Sequence, residues 1–226
     1  MTLLHLETST KNCSVSISRN GELLCLCEEF DDNYGHSEKL HQFIEWALEG
    51  AEISLKDLDA VCVSKGPGSY TGLRIGVSAA KGLCFGLNIP LISLESLEIL
   101  AQSQINKDFD LIIPMIDARR MEVYTSQFNS SGGKISPIEA KILDENSFQE
   151  FKDLNIAFVG DGVEKSETIL QLPNATYFKG IHPSAENMIQ LAEKKFNQKQ
   201  FEDVAYFEPF YLKEFVAGPK KVNPSH

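Results

Sequence analysis

The stretch Gly66-Pro67-Gly68-Ser69-Tyr70-Thr71-Gly72-Leu73-Arg74-Ile75-Gly76 follows the apolar run Ala60-Val61-Cys62-Val63-Ser64 and leads into a segment that is small and apolar on nearly every side. A strand, a glycine-rich turn and a helix in that order usually announce a phosphate cradle. The details fail that test. Counting from Gly66, the sixth position of a P-loop would be Thr71, and no Lys-Ser or Lys-Thr pair follows. The dinucleotide pattern G-x-G-x-x-G misses because Gly72 falls one residue late. What remains is a Pro-Gly turn opening a helix predicted over 70–87. That helix carries Gly72, Gly76, Gly82 and Gly86. Each costs about 1 kcal/mol relative to alanine, so packing has to return roughly 3–4 kcal/mol.

At 100° per residue, Gly72, Gly76, Ala79, Gly82 and Gly86 fall on one broad face, which admits close backbone approach. Leu73, Val77, Cys84 and Phe85 fall on the other side, with Arg74 and Lys81 near its middle. A helix apolar almost all round is buried on two sides. One side suits the chain's own sheet. The other needs a second helix or another subunit, and a plain core helix is the bland alternative.

The preceding segment, 36–51, reads as an amphipathic helix. Leu40, Phe43, Ile44, Ala47, Leu48 and Ala51 keep the i, i+3, i+4, i+7, i+8, i+11 rhythm. Glu38 suits its start and Gly50 its end. Trp46, the only tryptophan, lies off the stripe, either as a contact anchor or as a ring across the helix flank. The candidate contact residues are His36, Leu40, Phe43 and Trp46 on this helix. On the next they are Gly72, Arg74, Ile75, Gly76, Val77, Ala79 and Lys81. His36 and His41 are five apart and miss the i, i+4 spacing of zinc helices, so no metal is expected.

The 226 residues carry a net charge of −11. Such a surface does not attract nucleic acid by itself. Cys13, Cys25, Cys27, Cys62 and Cys84 form an odd set without a C-x-x-C pair and read as small buried hydrophobes in a reduced cytosol. The N-terminus lacks a basic region, Glu7 interrupts the first apolar run, and no apolar stretch approaches 18 residues. A cytoplasmic protein with no membrane role is expected.

Strands are predicted at 3–7, 13–18 and 22–30, with Asn20-Gly21 as a hairpin signal. The 36–51 helix, a strand at 60–64, the glycine-rich helix, a strand at 89–92 and a helix at 94–104 follow. The order then repeats faintly: strands at 111–116, 122–128 and 134–143, a helix at 147–154 and a strand at 156–159. A turn at Gly160-Asp161-Gly162, a helix at 163–170, a strand at 175–178 and a helix from Pro183 to 196 complete it. Two β-β-β-α-β-α units suggest an α/β chain of two duplicated subdomains, 1–105 and 106–226, with a cleft between them. The aromatic tail from Tyr206 to Phe215 is expected to pack on the body, and 218–226 to be polar and mobile.

Together these features resemble the TsaB (YeaZ) family, the bacterial tRNA threonylcarbamoyladenosine biosynthesis subunit. The residues that carry the likeness are Leu6-Glu7-Thr8-Ser9-Thr10, His36-Ser37-Glu38, the Gly66 to Gly76 string and Lys81-Gly82-Leu83. Asp117-Ala118-Arg119, Glu122-Val123-Tyr124 and Pro209 to Lys213 extend it, although Lys213 stands where the family pattern has arginine. The resemblance implies a duplicated actin-like, sugar-kinase-like and Hsp70-like (ASKHA) fold with βββαβα-type subdomains. It implies a subunit that binds a TsaD-type catalytic paralogue, with a TsaE-type ATPase in the assembly and a homodimer when alone. Contact with tRNA would come only through the complex. No cofactor is implied on this chain alone, and a place for ATP or ADP at the complex interface is left open.

Kinases of that fold carry Asp-x-Gly-Thr in the first hairpin loop, the aspartate serving a metal and the glycine admitting phosphate. Here the stretch reads Glu7-Thr8-Ser9-Thr10, and in the second half Asp117-Ala118-Arg119 puts arginine where glycine belongs. Both phosphate loops look degraded. Gly160-Asp161-Gly162 is either a plain turn or a vestigial nucleotide contact. The favoured reading is a non-catalytic scaffold of the tRNA N6-threonylcarbamoyladenosine synthesis complex. The alternatives are an active phosphotransferase using Glu7 or Asp117 for Mg²⁺ and Arg119 or Lys65 for phosphate, and a metallopeptidase, for which ligand spacing is missing.

Overall fold

The computed structural model describes residues 1–30 and 36–213, without the side chains of His36 and Glu38. The predicted mobile end, 218–226, and the last two residues of the aromatic tail lie outside the described residues. The chain opens with β1 (Thr2–Glu7), β2 (Asn12–Arg19) and β3 (Glu22–Phe30), antiparallel neighbours, the last two joined by the Asn20-Gly21 turn. After α1 (His36–Gly50), β4 (Ala60–Gly66) pairs parallel to β1. After α2 (Tyr70–Leu87), β5 (Leu91–Glu95) pairs parallel to β4. The sheet order is β3-β2-β1-β4-β5. β1 is buried along its whole length, as a central strand covered on both faces should be.

The second half repeats that plan. It contains α3 (Ser96–Gln102), β6 (Leu111–Asp117), β7 (Glu122–Thr125), β8 (Phe128–Asn129), β9 (Glu139–Ile142) and β10 (Ile156–Gly160), then α4 (Val163–Glu167), β11 (Ala175–Lys179) and α5 (Ile189–Asn197). Its sheet runs β9-β7-β6-β10-β11, with β8 beside β6. Two antiparallel and two parallel pairings recur in the same places. The chain therefore has the duplicated actin-like α/β fold that the sequence predicted.

The second unit is the more eroded copy. Where α1 stands in the first unit, the second has only a 3-10 turn at Gln149–Phe151 in place of the predicted helix. The predicted strand 122–128 divides into β7 and β8, and the one at 134–143 shortens to β9. The helix expected from Pro183 begins as a loop and a 3-10 turn, because β2 has taken its first backbone groups. Asn12 Nδ2 donates to the Pro183 carbonyl (3.1 Å), Ser16 Oγ to that of Ala185 (2.9 Å), and the Ala185 amide to Ser14 Oγ (2.9 Å).

The strands of the first sheet end at Glu95 and those of the second begin at Leu111, while the helices between and after them cross from one sheet to the other. α3 packs Leu97, Leu100 and Ala101 against Ile112 and Ile116 of the second sheet. The segment leading into α5 crosses back, setting Ala185, Met188 and Ala192 against Leu3, Cys62 and Ile92 of the first. α1 and α2 cover the other face of that sheet, burying Leu40, Phe43, Ala47, Val77 and Ala80 over Leu6, Val15 and Val63. Each fully buried branched side chain contributes about 1.5–3 kcal/mol.

Candidate functional site

α2 starts at Ser69, whose Oγ accepts the Gly72 amide proton at 3.3 Å. It ends at Asn88 in the left-handed region. The buried residues are Gly72, Leu73, Gly76, Val77, Ala80 and Cys84. Their centre falls between the two predicted faces, so the partition read from the sequence is corrected. Gly72 and Gly76 point inward with Leu73 and Val77, whereas Gly82 and Gly86 meet nothing within 4 Å. Phe85, grouped by periodicity with Leu73, Val77 and Cys84, parts from them and is 85% exposed.

The contact candidates divide accordingly. Leu40, Phe43, Gly72, Gly76 and Val77 are buried in the chain's own core. Ile75 and Ala79 are half-buried on the flank. Trp46 is 48% exposed while its ring stacks on Phe43 at 5.7 Å, so it lies on the helix flank and still offers a surface. The side chain of His36 is outside the described residues. Arg74 and Lys81 already have partners within the chain. Arg74 Nε donates to the Tyr211 hydroxyl (3.2 Å) and its guanidinium lies 4.2 Å from the centre of the Tyr70 ring. Lys81 Nζ donates to the carbonyls of Ala205 (3.2 Å) and Phe207 (2.8 Å). Sequence reasoning missed Phe85, although a lone aromatic between Gly82 and Gly86 was the available signal.

The first hairpin loop is closed. Glu7, Thr8, Ser9 and Thr10 are all buried. The Ser9 amide donates to Glu7 Oε1 (2.6 Å), Thr8 Oγ1 donates to the Gly72 carbonyl (2.8 Å), and the Ser69 amide donates to the Ser9 carbonyl (2.6 Å). A Cβ on Gly68 would lie 2.2 Å from the Ser9 carbonyl oxygen, so the glycine segment presses directly on this loop. Ser9 adds a side chain where the kinase pattern has glycine, and residues 66–69 pack against the loop. Burial pushes the Glu7 carboxyl up to about 7, against the lowering effect of hydrogen bonds from Ser9, Ser64 and Thr8. Glu7 Oε2 and Ser9 Oγ have no hydrogen-bond partner.

The second loop is filled rather than buried. Asp117 is exposed at the end of β6 and pairs with Lys165. Lys165 Nζ also donates to the carbonyls of Arg120 (2.8 Å) and Glu122 (2.6 Å). Arg119 and Arg120 both hold positive φ, of 69° and 50°, in the tight turn into β7. The Asp161 carboxylate accepts the Asp117 amide proton (2.8 Å), and the Gly162 amide donates to the Met115 carbonyl (3.0 Å). Gly160-Asp161-Gly162 thus works as a turn that ties β10 to β6. Burial raises the Asp161 carboxyl above its ordinary range, and the Asp117 amide proton opposes that rise.

Between the two loops lies a cleft of about 820 Å³, lined among others by Ser9, Lys11, Phe30, Asp117, Arg119 and Asp161. Phe210, Tyr211, Leu212 and Lys213 of the C-terminal tail also line it. The tail reaches this position over Gly66. That residue holds φ +108°, and a Cβ there would lie 2.7 Å from the Phe210 carbonyl oxygen. Among the described residues, no three His, Cys, Asp or Glu side chains are grouped to hold a metal. His5 is buried with Nε2 2.8 Å from Ser18 Oγ, and His182 lies against Phe30.

A family model described as TsaD, tRNA N6-adenosine threonylcarbamoyltransferase, matches residues 33–220. Two relatives described as tRNA threonylcarbamoyladenosine biosynthesis protein TsaB, from Haemophilus influenzae and Bacillus subtilis, are each 30% identical, with 97% of both chains covered. The solved structure of YeaZ from Pseudomonas aeruginosa matches with a TM-score of 0.83 at 27% identity, covering 93% of this chain and 99% of that one.

Proposed function

The chain belongs to the TsaB (YeaZ) family, and we propose that it serves tRNA threonylcarbamoyladenosine biosynthesis as a non-catalytic subunit. In this reading it binds a TsaD-type transferase through the outer face of α1 and α2. The observation that carries the non-catalytic part is the burial of Glu7, together with the side chain that Ser9 adds where the kinase pattern has glycine. An active phosphotransferase needs a carboxylate that reaches a metal and a loop whose backbone amides meet phosphate. Binding is supported by the outer surface of α2, where Phe85 stands free beside two glycines with empty space above them. Trp46 extends the surface onto α1.

The same face would pair two copies when the transferase is absent. A TsaE-type ATPase completes the assembly, and ATP or ADP is assigned to the complex rather than to this chain alone. With a net charge of −11, tRNA is reached through the more basic partners. No helix among the described residues is long and apolar enough to cross a membrane, and we place the protein in the cytoplasm, where its tRNA substrate is.

Size exclusion of this chain mixed at micromolar concentration with the TsaD-type protein of the same cell tests the reading. It predicts co-elution, and no ATP turnover by this chain alone. Separate elution, or hydrolysis abolished by Glu7→Ala, contradicts it.

A further inference from the structure

Residues 202–213 run as a strap along the first lobe and end on the second. The strap begins at the edge of β5, where the Glu202 amide donates to the Leu91 carbonyl at 2.9 Å. It passes α2, where Lys81 grips the carbonyls of Ala205 and Phe207. The Phe210 amide then donates to the Lys65 carbonyl at 2.7 Å, at the end of β4. Tyr211 follows, its ring 4.8 Å from that of Tyr70 and its hydroxyl accepting from Arg74. The course finishes at Lys213, which pairs with Glu122 and lies 5.9 Å from the Tyr124 ring, both on β7 of the second lobe.

We propose that this strap is a clasp, fastened to α2 and β4 on one lobe and latched by Lys213 to Glu122 on the other, that couples the α2 surface to the interlobe cleft. The two kinds of fastening differ. On the first lobe the strap is held by backbone hydrogen bonds and by both cations of α2. On the second, among the described residues, it is held by a half-exposed ion pair beside an aromatic ring. An exposed pair is the weaker element, so the clasp opens at Lys213 while its root stays fixed. Because Phe210, Tyr211, Leu212 and Lys213 line the cleft, opening there removes part of its wall. Arg74 and Lys81 are the only charges on α2, and both are engaged by the strap. A change at the α2 surface that withdraws either cation therefore loosens the latch at the far end. The lobes stay joined by the Lys134–Glu95 pair and by α3, so the variants below keep the fold.

Hydrogen–deuterium exchange on the full chain tests this without any partner, so it is independent of whether a transferase binds. Lys213→Glu and Glu122→Lys are each expected to speed exchange of the amides of 206–213 by about two- to fivefold, the range of an exposed ion pair. The double exchange, Glu122→Lys with Lys213→Glu, restores the wild-type rate. Lys81→Met speeds exchange not only at 205–207 but also at 210–213, which carries the coupling. Unchanged exchange in both single variants, failure of the double exchange to restore it, or an effect of Lys81→Met confined to 205–207 overturns the proposal. Equal melting temperatures of the single variants and wild type confirm that local opening is being read.

Discussion

At the residue scale, Glu7 carries the clearest consequence. The resemblance sets it in the place of a metal-binding aspartate, yet it is fully buried. Its folded-state pKa of about 7 lies above the ordinary carboxylate value of 4.5. A raised carboxyl binds its proton more tightly when folded, so the contribution of Glu7 to stability is fully present below about 4.5 and is lost as pH rises through 7. Glu7→Gln removes that loss. The variant is expected to match wild type near pH 4.5 and to gain stability progressively up to pH 8, by on the order of 3 kcal/mol at most. Chemical denaturation across that range checks it, and a gain independent of pH would assign the effect to packing instead. His5 has the opposite sign. Burial lowers its ring to about 3, so the stability of its neutral form is present above 6.5 and is lost as pH falls toward 3. The residue types at 7–10 already mark a degraded loop in the sequence. Their closure by Gly68 and Ser69 is a long-range contact that no local pattern encodes.

At the element scale, α2 was legible to the residue because its turn, its cap and its small apolar composition agree. Which side faces inward was not, because four glycines and two alanines give periodicity little to grip. Packing against Thr8 decided the matter: a Cβ on Gly76 would lie 2.3 Å from Thr8 Oγ1, whereas one on Gly82 would meet nothing within 4 Å. Two opposite outcomes follow. Gly76→Leu overpacks the helix against β1 and is expected to cost about 1–3 kcal/mol, seen as a lowered Tm. Gly82→Ala in the free chain is expected to stabilise by about 0.5–1 kcal/mol, since it removes an exposed helical glycine and clashes with nothing. If both variants melt alike, the assignment of inner and outer faces is wrong. The second unit was less legible for a related reason. Its strands are short and its α1 counterpart is a single turn, so the sequence holds too few periods to separate strand from helix.

At the scale of the whole molecule, duplication was visible as two successive runs of the same element order, and the matching sheet topologies bear it out. The packing of the aromatic tail on the body was expected and holds for 206–213, but the path of 183–213 along the first lobe was not visible, because it depends on polar side chains of β2 and on the cations of α2 finding distant carbonyls. Among the described residues, that return leaves the outer surface of α1 and α2 with Phe85 and Trp46 exposed upon it. The decisive measurement is a calorimetric titration of the TsaD-type protein with wild type and with Phe85→Glu, whose exposed position spares the fold. Saturable binding by wild type, weakened at least about tenfold in the variant, is the expected result. Equal affinity for both proteins, or no heat of binding with wild type at micromolar concentration, would contradict the assignment of this face to the partner.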